Sequence, residues 1–323
     1  MNPPVPTPDL SVIVCTHNPR ADYLAHTLDS LRGQTLPTDR WELIIVDNAS
    51  RESVAGRVEL GWQPHAKIVT EPTPGLTVAR VRGIASAAAP LLVWVDDDNA
   101  LAPDYLAQAA ALAEVWPRLG VYGCGAYTPA WEKAPAPELT PLLAYLAVHK
   151  VAGDRWSNLP GDWSAVPAGA GLCVRLDVAQ RYAALVRDDP RRRKLGRTGT
   201  QLAGGEDFDL AFTALDLGYG TGVFTRLALT HYMPAGRVRP DYLLRLAEGH
   251  AFSMVVLQAL RGAVPAGPTH GMIARLREAR YRRTLGPIER QLHDAKRAGE
   301  RRALSLLAAD GRIRTDLAPP PAP

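Results

Sequence analysis

Three consecutive carboxylates, Asp96-Asp97-Asp98, stand directly after the apolar run Leu91–Val95. Adjacent like charges repel unless a cation neutralises them. Hard divalent ions that prefer oxygen ligands, Mg2+ or Mn2+, are the natural partners. Mg2+ commonly takes one or two protein carboxylates and completes its shell with substrate phosphates. On these residues alone, a solvated acidic turn ahead of the helix introduced by Pro103 is the alternative. A second acidic pair, Glu206-Asp207, follows Gly204-Gly205 at the start of a helical stretch, where the helix dipole favours negative charge. It reads as an N-terminal cap or as a carboxylate base, which has only to reach a hydroxyl and stay ionised. Neither cluster decides by itself.

The elements that must position these residues show in the apolar periodicity. Leu10–Cys15, Trp41–Val46, Lys67–Thr70 and Leu91–Val95 read as strands. Between them Tyr23–Arg32 and Leu76–Ala88 have helical spacing, with Tyr23, Leu24, Thr27, Leu28 and Leu31 on one face. Apolar runs alternating with helices predict parallel strands covered on both faces. Ligands then bind beyond the carboxyl ends of the strands. Three strands end in polar clusters, Thr16-His17-Asn18, Asp47 to Ser50, and Asp96 to Asn99, so one rim should carry all three. Further on, Asp104–Val115, Val178–Val186 and Asp207–Leu217 read as helices, Gly169–Arg175 as a strand and Trp131–Pro141 as a linker. Arg187–Gly205, basic and glycine-bearing, reads as a mobile surface loop, either a lid that closes over the rim or an idle surface insertion. Beyond Pro240 the pattern is helical, and Leu317–Pro323 reads as a disordered tail.

Five segments in this order resemble family 2 of the inverting glycosyltransferases: SVIVCTHNPR at Ser11–Arg20, VDNAS at Val46–Ser50, EPTPGLTVARVRG at Glu71–Gly83, VDDDNALAPDYL at Val95–Leu106 and GGEDFDLAFTALDLGYG at Gly204–Gly220. The resemblance extends from Ser11 to His231. It implies the GT-A fold, a Rossmann-like and mostly parallel central sheet flanked by helices. It also implies a nucleotide-sugar donor, with UDP the usual nucleotide, and a Mg2+ or Mn2+ ion. By the same resemblance Thr16, His17 and Asn18 line the nucleotide pocket, Asp47 accepts hydrogen bonds from the base, and Arg80 lies near the donor. Asp96, Asp97 and Asp98 cover the Asp-x-Asp motif, with Asp97 toward the ribose and Asp98 on the metal. Asp207 falls on the catalytic base, with Glu206 as its neighbour. The peptide His231–Arg237 resembles a His-x-x-Pro-x-x-Arg element, so His231 would complete the metal or diphosphate shell. The Gln-x-x-Arg-Trp motif of processive synthases has its nearest match at Gln258–Gly262, where tryptophan is missing. That favours a non-processive hexosyltransferase acting in cell-surface polysaccharide or glycolipid synthesis.

Composition bounds the remaining alternatives. The chain has 323 residues, a net charge of +4 and three widely spaced cysteines, which suits a reducing cytoplasmic setting. The charge is uneven: Arg237–Pro323 holds sixteen Lys/Arg and eight Asp/Glu, a balance of +8, leaving −4 on Met1–Gly236. We therefore divide the chain into a catalytic domain, 1–236, and a basic helical C-terminal extension, 237–323. The proline-rich N-terminus lacks the pattern of a signal peptide, and no run of eighteen uninterrupted apolar residues predicts a membrane span. Arginines without interleaved aromatics argue against nucleic acid. Basic amphipathic stretches in the extension, Leu243 to Leu257 and Met272 to Arg283, suit an anionic membrane surface and a lipid-linked acceptor. Packing of the same faces on the catalytic domain or in a homodimer is the alternative. A dehydrogenase lacks its Gly-x-Gly-x-x-Gly here. A nucleotidyltransferase lacks the glycine-rich basic loop after the first strand. A non-catalytic donor-binding module is opposed by the retained Asp98 and Asp207.

Overall fold

The computed structural model describes residues 7–263 and 272–309, so the expected tail Leu317–Pro323 lies outside the described residues. The first half alternates as its periodicity predicts. Its elements are Leu10–Thr16 (β1), Ala21–Arg32 (α1), Trp41–Asn48 (β2), Ala66–Glu71 (β3), Leu76–Ser86 (α2), Leu91–Asp96 (β4), Asn99–Leu101 (β5) and Tyr105–Val115 (α3). The second half continues with Leu119–Trp131 (β6), Arg155–Ser157 (β7), Leu172–Arg175 (β8), Leu176–Asp188 (α4), Glu206–Asp216 (α5) and Gly220–Met233 (β9). Three helices follow, Pro240–Leu260 (α6), Met272–Thr284 (α7) and Pro287–Ala309 (α8).

The strands form one sheet in the order β3-β2-β1-β4-β8-β6-β9-β5, with β7 paired to β9. β3, β2, β1 and β4 are parallel neighbours. β8 then runs antiparallel to both β4 and β6, while β6 and β9 are parallel. The mostly parallel character thus belongs to the first half, and the second half is mixed. The reason is local: β6 holds three glycines and a proline, which blur strand periodicity, so neither β6 nor β9 stands out in the sequence.

Side chains alternate across the sheet as strand geometry requires. Leu10, Val12 and Val14 of β1 join Leu24, Leu28 and Leu31 of α1 and Leu106, Ala109 and Leu112 of α3 in one core layer. Ile13, Ile44 and Trp94 face the other way, against Ala79 and Ile84 of α2, Val178 and Tyr182 of α4, and Leu210 and Ala214 of α5. The approach of α2 to β1 is close enough to need a glycine: a Cβ on Gly83 would lie 2.5 Å from Ile13 Cγ2. The resulting three-layer α/β body with added C-terminal helices is the GT-A fold.

Two expectations change in the second half. Trp131–Pro141 is only partly a linker, because β6 runs to Trp131 and 3-10 turns occupy Pro137–Leu146. Arg187–Gly205 is not loose throughout. Pro190–Leu195 forms 3-10 turns, Leu195 is fully buried, and Arg192 donates a short hydrogen bond to Asp209 of α5. Leu195 packs with Phe212, Phe252, Val256 and Leu257, so apolar burial anchors a segment whose charge suggested solvent.

The extension also packs inward. Among the described residues, α6 alone has the length and mean hydropathy (1.2) of a bilayer span. Yet Leu243 and Leu246 pack with Leu139, Leu142 and Met233, and Phe252, Val256 and Leu257 join the Leu195 cluster. The apolar face of α6 is therefore occupied by protein. Arg237, the first residue of the extension, enters the cavity described next.

Candidate active site

The register of β1 with its neighbours pairs Cys15 with both Val46 and Asp96, and Thr16 with Asp47. All three polar clusters consequently lie on one rim, as parallel strands require. Two non-glycine residues there have positive φ, Asn18 at 50° and Ala49 at 52°. They turn the chain sharply away from the strand ends. Such strained conformations persist where surrounding bonds fix them. Here His17 Nδ1 pairs with the Asn48 carbonyl at 2.6 Å, the Asn18 amide N–H donates to Ser50 Oγ at 3.0 Å, and the Arg51 N–H donates to Asn18 Oδ1 at 2.8 Å.

The rim opens into a cavity of about 790 Å³. Its wall includes Thr16, His17, Arg80, Asp96, Asp97, Asp98, Glu206, Asp207 and His231, nine of the residues singled out from sequence. Asn18 and Asp47 are not in that wall. The two Asp47 oxygens accept the Ser50 and Val54 N–H groups at 3.3 and 3.0 Å, so Asp47 shapes the loop behind the rim.

The three aspartates occupy different environments. Asp98 is buried and accepts from Arg237 Nη2 at 2.7 Å and from Asn99 Nδ2 at 2.9 Å. Burial by itself raises its pKa, but Arg237 and His231 outweigh that and hold the carboxyl well below the usual range. Asp97 accepts a short hydrogen bond from the Thr16 hydroxyl. Burial and the neighbouring Asp98 charge nevertheless push it up to about 7. A cation brought to this cluster would favour the ionised form of Asp97.

His231 Nε2 lies 3.5 Å from Asp98 Oδ1 and accepts from Arg237 Nη1 at 2.9 Å. A guanidinium has only donors, so the single Nε2 lone pair is engaged by Arg237 here, and an ion held by Asp98 and His231 would take the place of that guanidinium. Hard oxygen plus imidazole nitrogen is a donor set that fits Mn2+ or Mg2+. Among the described residues no group of three ligating side chains forms, so further ligands would have to come from a bound diphosphate.

Arg80 joins the two acidic clusters. Its Nη1 donates to Glu206 Oε1 at 3.2 Å, its Nη2 donates to the Gly169 carbonyl at 3.3 Å and lies 3.8 Å from Asp96 Oδ1, and its guanidinium sits 4.8 Å over the Trp94 ring. Glu206 is buried behind this pair. Asp207, next along α5, is half-buried and accepts the Phe208 N–H at 2.9 Å. Burial raises the Asp207 pKa, with Arg80 opposing. That combination makes a stronger base whose ionised form still has a cationic neighbour.

Several wall residues were not singled out from sequence: Asn48, Gly75, Tyr127, Tyr145, Arg197, Phe208, Arg237 and His250. Asn48, Gly75, Phe208 and Arg237 lie inside motifs already quoted, and that adjacency was the available signal. Asn48 accepts the Gly75 N–H at 2.8 Å and donates to the Thr73 carbonyl at 2.7 Å. This fixes the start of α2 beside the cavity, where Gly75 has φ 142°. Tyr145 and His250 come from segments with no chemical motif, brought in by packing of α6 on the 3-10 turns.

Comparison with known proteins agrees with this geometry. Residues 11–137 match the family model described as Glycosyl transferase family 2. EpsH of Bacillus subtilis (strain 168), provisionally named a glycosyltransferase, is 31% identical over 104 residues, 32% of this chain and 29% of EpsH. Validoxylamine A glucosyltransferase of Streptomyces hygroscopicus subsp. jinggangensis (strain 5008) is 32% identical over 159 residues, 46% of this chain and 36% of that protein. The chain therefore spans about a third of the length of these relatives. Mannosyltransferase PcManGT from Pyrobaculum calidifontis, solved in complex with GDP-Man and Mn2+, shares the fold with a TM-score of 0.54 at 22% identity, over 96% of this chain and 77% of that one. The match to family 2 of the glycosyltransferases thus covers residues 11–137, and the solved neighbour shows a shared fold.

Proposed function

We propose that the chain is an inverting, non-processive glycosyltransferase that moves a hexose from a nucleoside diphosphate, UDP by preference, to an acceptor hydroxyl. The observation that supports this reading is the placement of Asp96–Asp98 and Asp207 in one cavity wall, with Arg80 between the two clusters. The donor would lie along the rim of β1, β2 and β4, its nucleotide against Thr16 and His17 and its ribose near Asp97. Arg197 and Arg237 supply positive charge to the diphosphate. A divalent ion held by Asp98 and His231 would stabilise negative charge on the departing diphosphate as a Lewis acid.

Asp207 would take the proton of the acceptor hydroxyl as that oxygen attacks the anomeric carbon from the face opposite the leaving group. One displacement inverts the configuration. Glu206 acts through Arg80, holding the guanidinium where it keeps Asp207 ionised. The acceptor is a carbohydrate or a lipid-linked sugar, and the cell-surface polysaccharide or glycolipid pathways are its setting.

The test is donor hydrolysis and transfer across a panel of UDP-, GDP- and dTDP-sugars, with and without Mn2+. We expect turnover of one UDP-hexose that depends on the metal and produces the inverted anomer by NMR. Retention of configuration would overturn the one-step mechanism. Absence of binding and turnover with every donor would overturn the transferase reading.

A further inference from the structure

The basic charge of the extension is not spread evenly over its helices. In α7 the residues Glu278, Tyr281 and Arg282 recur at helical spacing on one face, and all three engage α8. Glu278 and Arg282 make short ion pairs with His293 and Asp294, and Tyr281 sits edge-on to the His293 ring at 5.5 Å. These contacts set the rotation of α7 about its axis.

The outward face carries Met272, Ile273, Leu276, Arg277, Arg280 and Arg283. Met272, Ile273 and Leu276 are 78%, 69% and 64% exposed, far beyond what scattered surface apolar residues require. Arg277, Arg280 and Arg283 are exposed beside them. Among the described residues no carboxylate pairs with any of the three.

We propose that this face of α7 docks on an anionic lipid surface. Large apolar side chains that enter the headgroup region, interleaved with unpaired arginines that meet lipid phosphates, are the two contributions that interfacial helices combine. Charge complementarity favours lipid over a second copy of this chain, because a two-fold contact through this face would set arginines against arginines. The burial of the apolar face of α6 removes the other candidate in the extension. The proposal is independent of the transferase reading, since α7 contributes no residue to the cavity wall.

The experiment is flotation of the full chain with vesicles of phosphatidylcholine alone or mixed equally with phosphatidylglycerol. Binding should require the anionic lipid and weaken in high salt. Replacing Arg277, Arg280 and Arg283 by Gln should lower partitioning about fivefold per arginine. Replacing Ile273 and Leu276 by Ser should abolish flotation while thermal unfolding and donor turnover stay unchanged. Failure of the unaltered chain to float, equal flotation of the variants, or a dimer in sedimentation that these substitutions dissociate would each overturn the proposal. If donor turnover is absent while flotation behaves as expected, only the transferase reading fails.

Discussion

Asp207 and Glu206 are neighbours in sequence with different surroundings. Glu206 spends its charge on Arg80 in the interior, whereas Asp207 faces the cavity. Asp207→Asn preserves shape and removes the proton acceptor. Transfer should fall about 10²–10⁴-fold while donor affinity by calorimetry is retained. A variant that loses donor affinity and transfers normally at saturation would assign Asp207 to binding. The same substitution should also stabilise the fold. A carboxyl whose folded pKa is raised binds its proton more tightly folded than unfolded, so its ionisation opposes folding once pH exceeds the unfolded value. The melting temperature of Asp207→Asn should exceed that of the unaltered chain at pH 8, and the difference should vanish as pH falls toward 4. At Asp98 the sign is opposite: its depressed pKa contributes stability above the unfolded value that is lost in acid. Asp98→Ala should abolish the Mn2+-dependent rise in melting temperature produced by UDP, measured by differential scanning fluorimetry.

At the scale of elements, two close approaches hold the site in place. Gly83 lets α2 lie against β1, which sets Arg80 one turn earlier on α2 beneath the acidic cluster. Gly83→Ala should overpack that contact and cost about 1–3 kcal/mol in urea unfolding, and Ile13→Val in the same chain, which removes Cδ1 but keeps the clashing Cγ2, should recover little of it. The second is the Leu195 anchor. Leu195→Ala removes a fully buried side chain shared by α5 and α6, and should cost about 2–5 kcal/mol. Tryptic cleavage near Arg191–Arg193 should increase in that variant. Equal cleavage in both proteins would mean that the Arg192–Asp209 pair alone secures the segment.

Over the whole molecule, the extension completes the α/β body. Met233, Leu139 and Leu142 lose their cover if α6 is removed, and Asp98 loses Arg237. A chain ending at Gly236 should therefore fail to unfold cooperatively by circular dichroism and should not bind donor. A truncated protein with a sharp transition would show that 1–236 folds by itself. The exposed arginines of α7, by contrast, contribute little to this packing, so their replacement should leave the transition unchanged.

The first half of the fold was legible because its strands are continuous apolar runs and its helices show clean three-and-four spacing. Parallel pairing then followed, and with it the common rim for Thr16, His17 and Asp96 to Asp98. Those are local patterns, and local patterns survive in a linear text. The strands β6 and β9 were hidden because glycines, a proline and mixed side chains leave no period, and only pairing with each other makes them strands. The same holds for charge. The sequence showed where arginines lie, but tertiary contacts decided which ones are sequestered. Arg192 is tied to Asp209, Arg237 to Asp98, and Arg282 to Asp294, while Arg277, Arg280 and Arg283 face outward. A partner for a charge is chosen by distance in space, and residues 139 positions apart, such as Asp98 and Arg237, meet only when the sheet and α6 have closed around them.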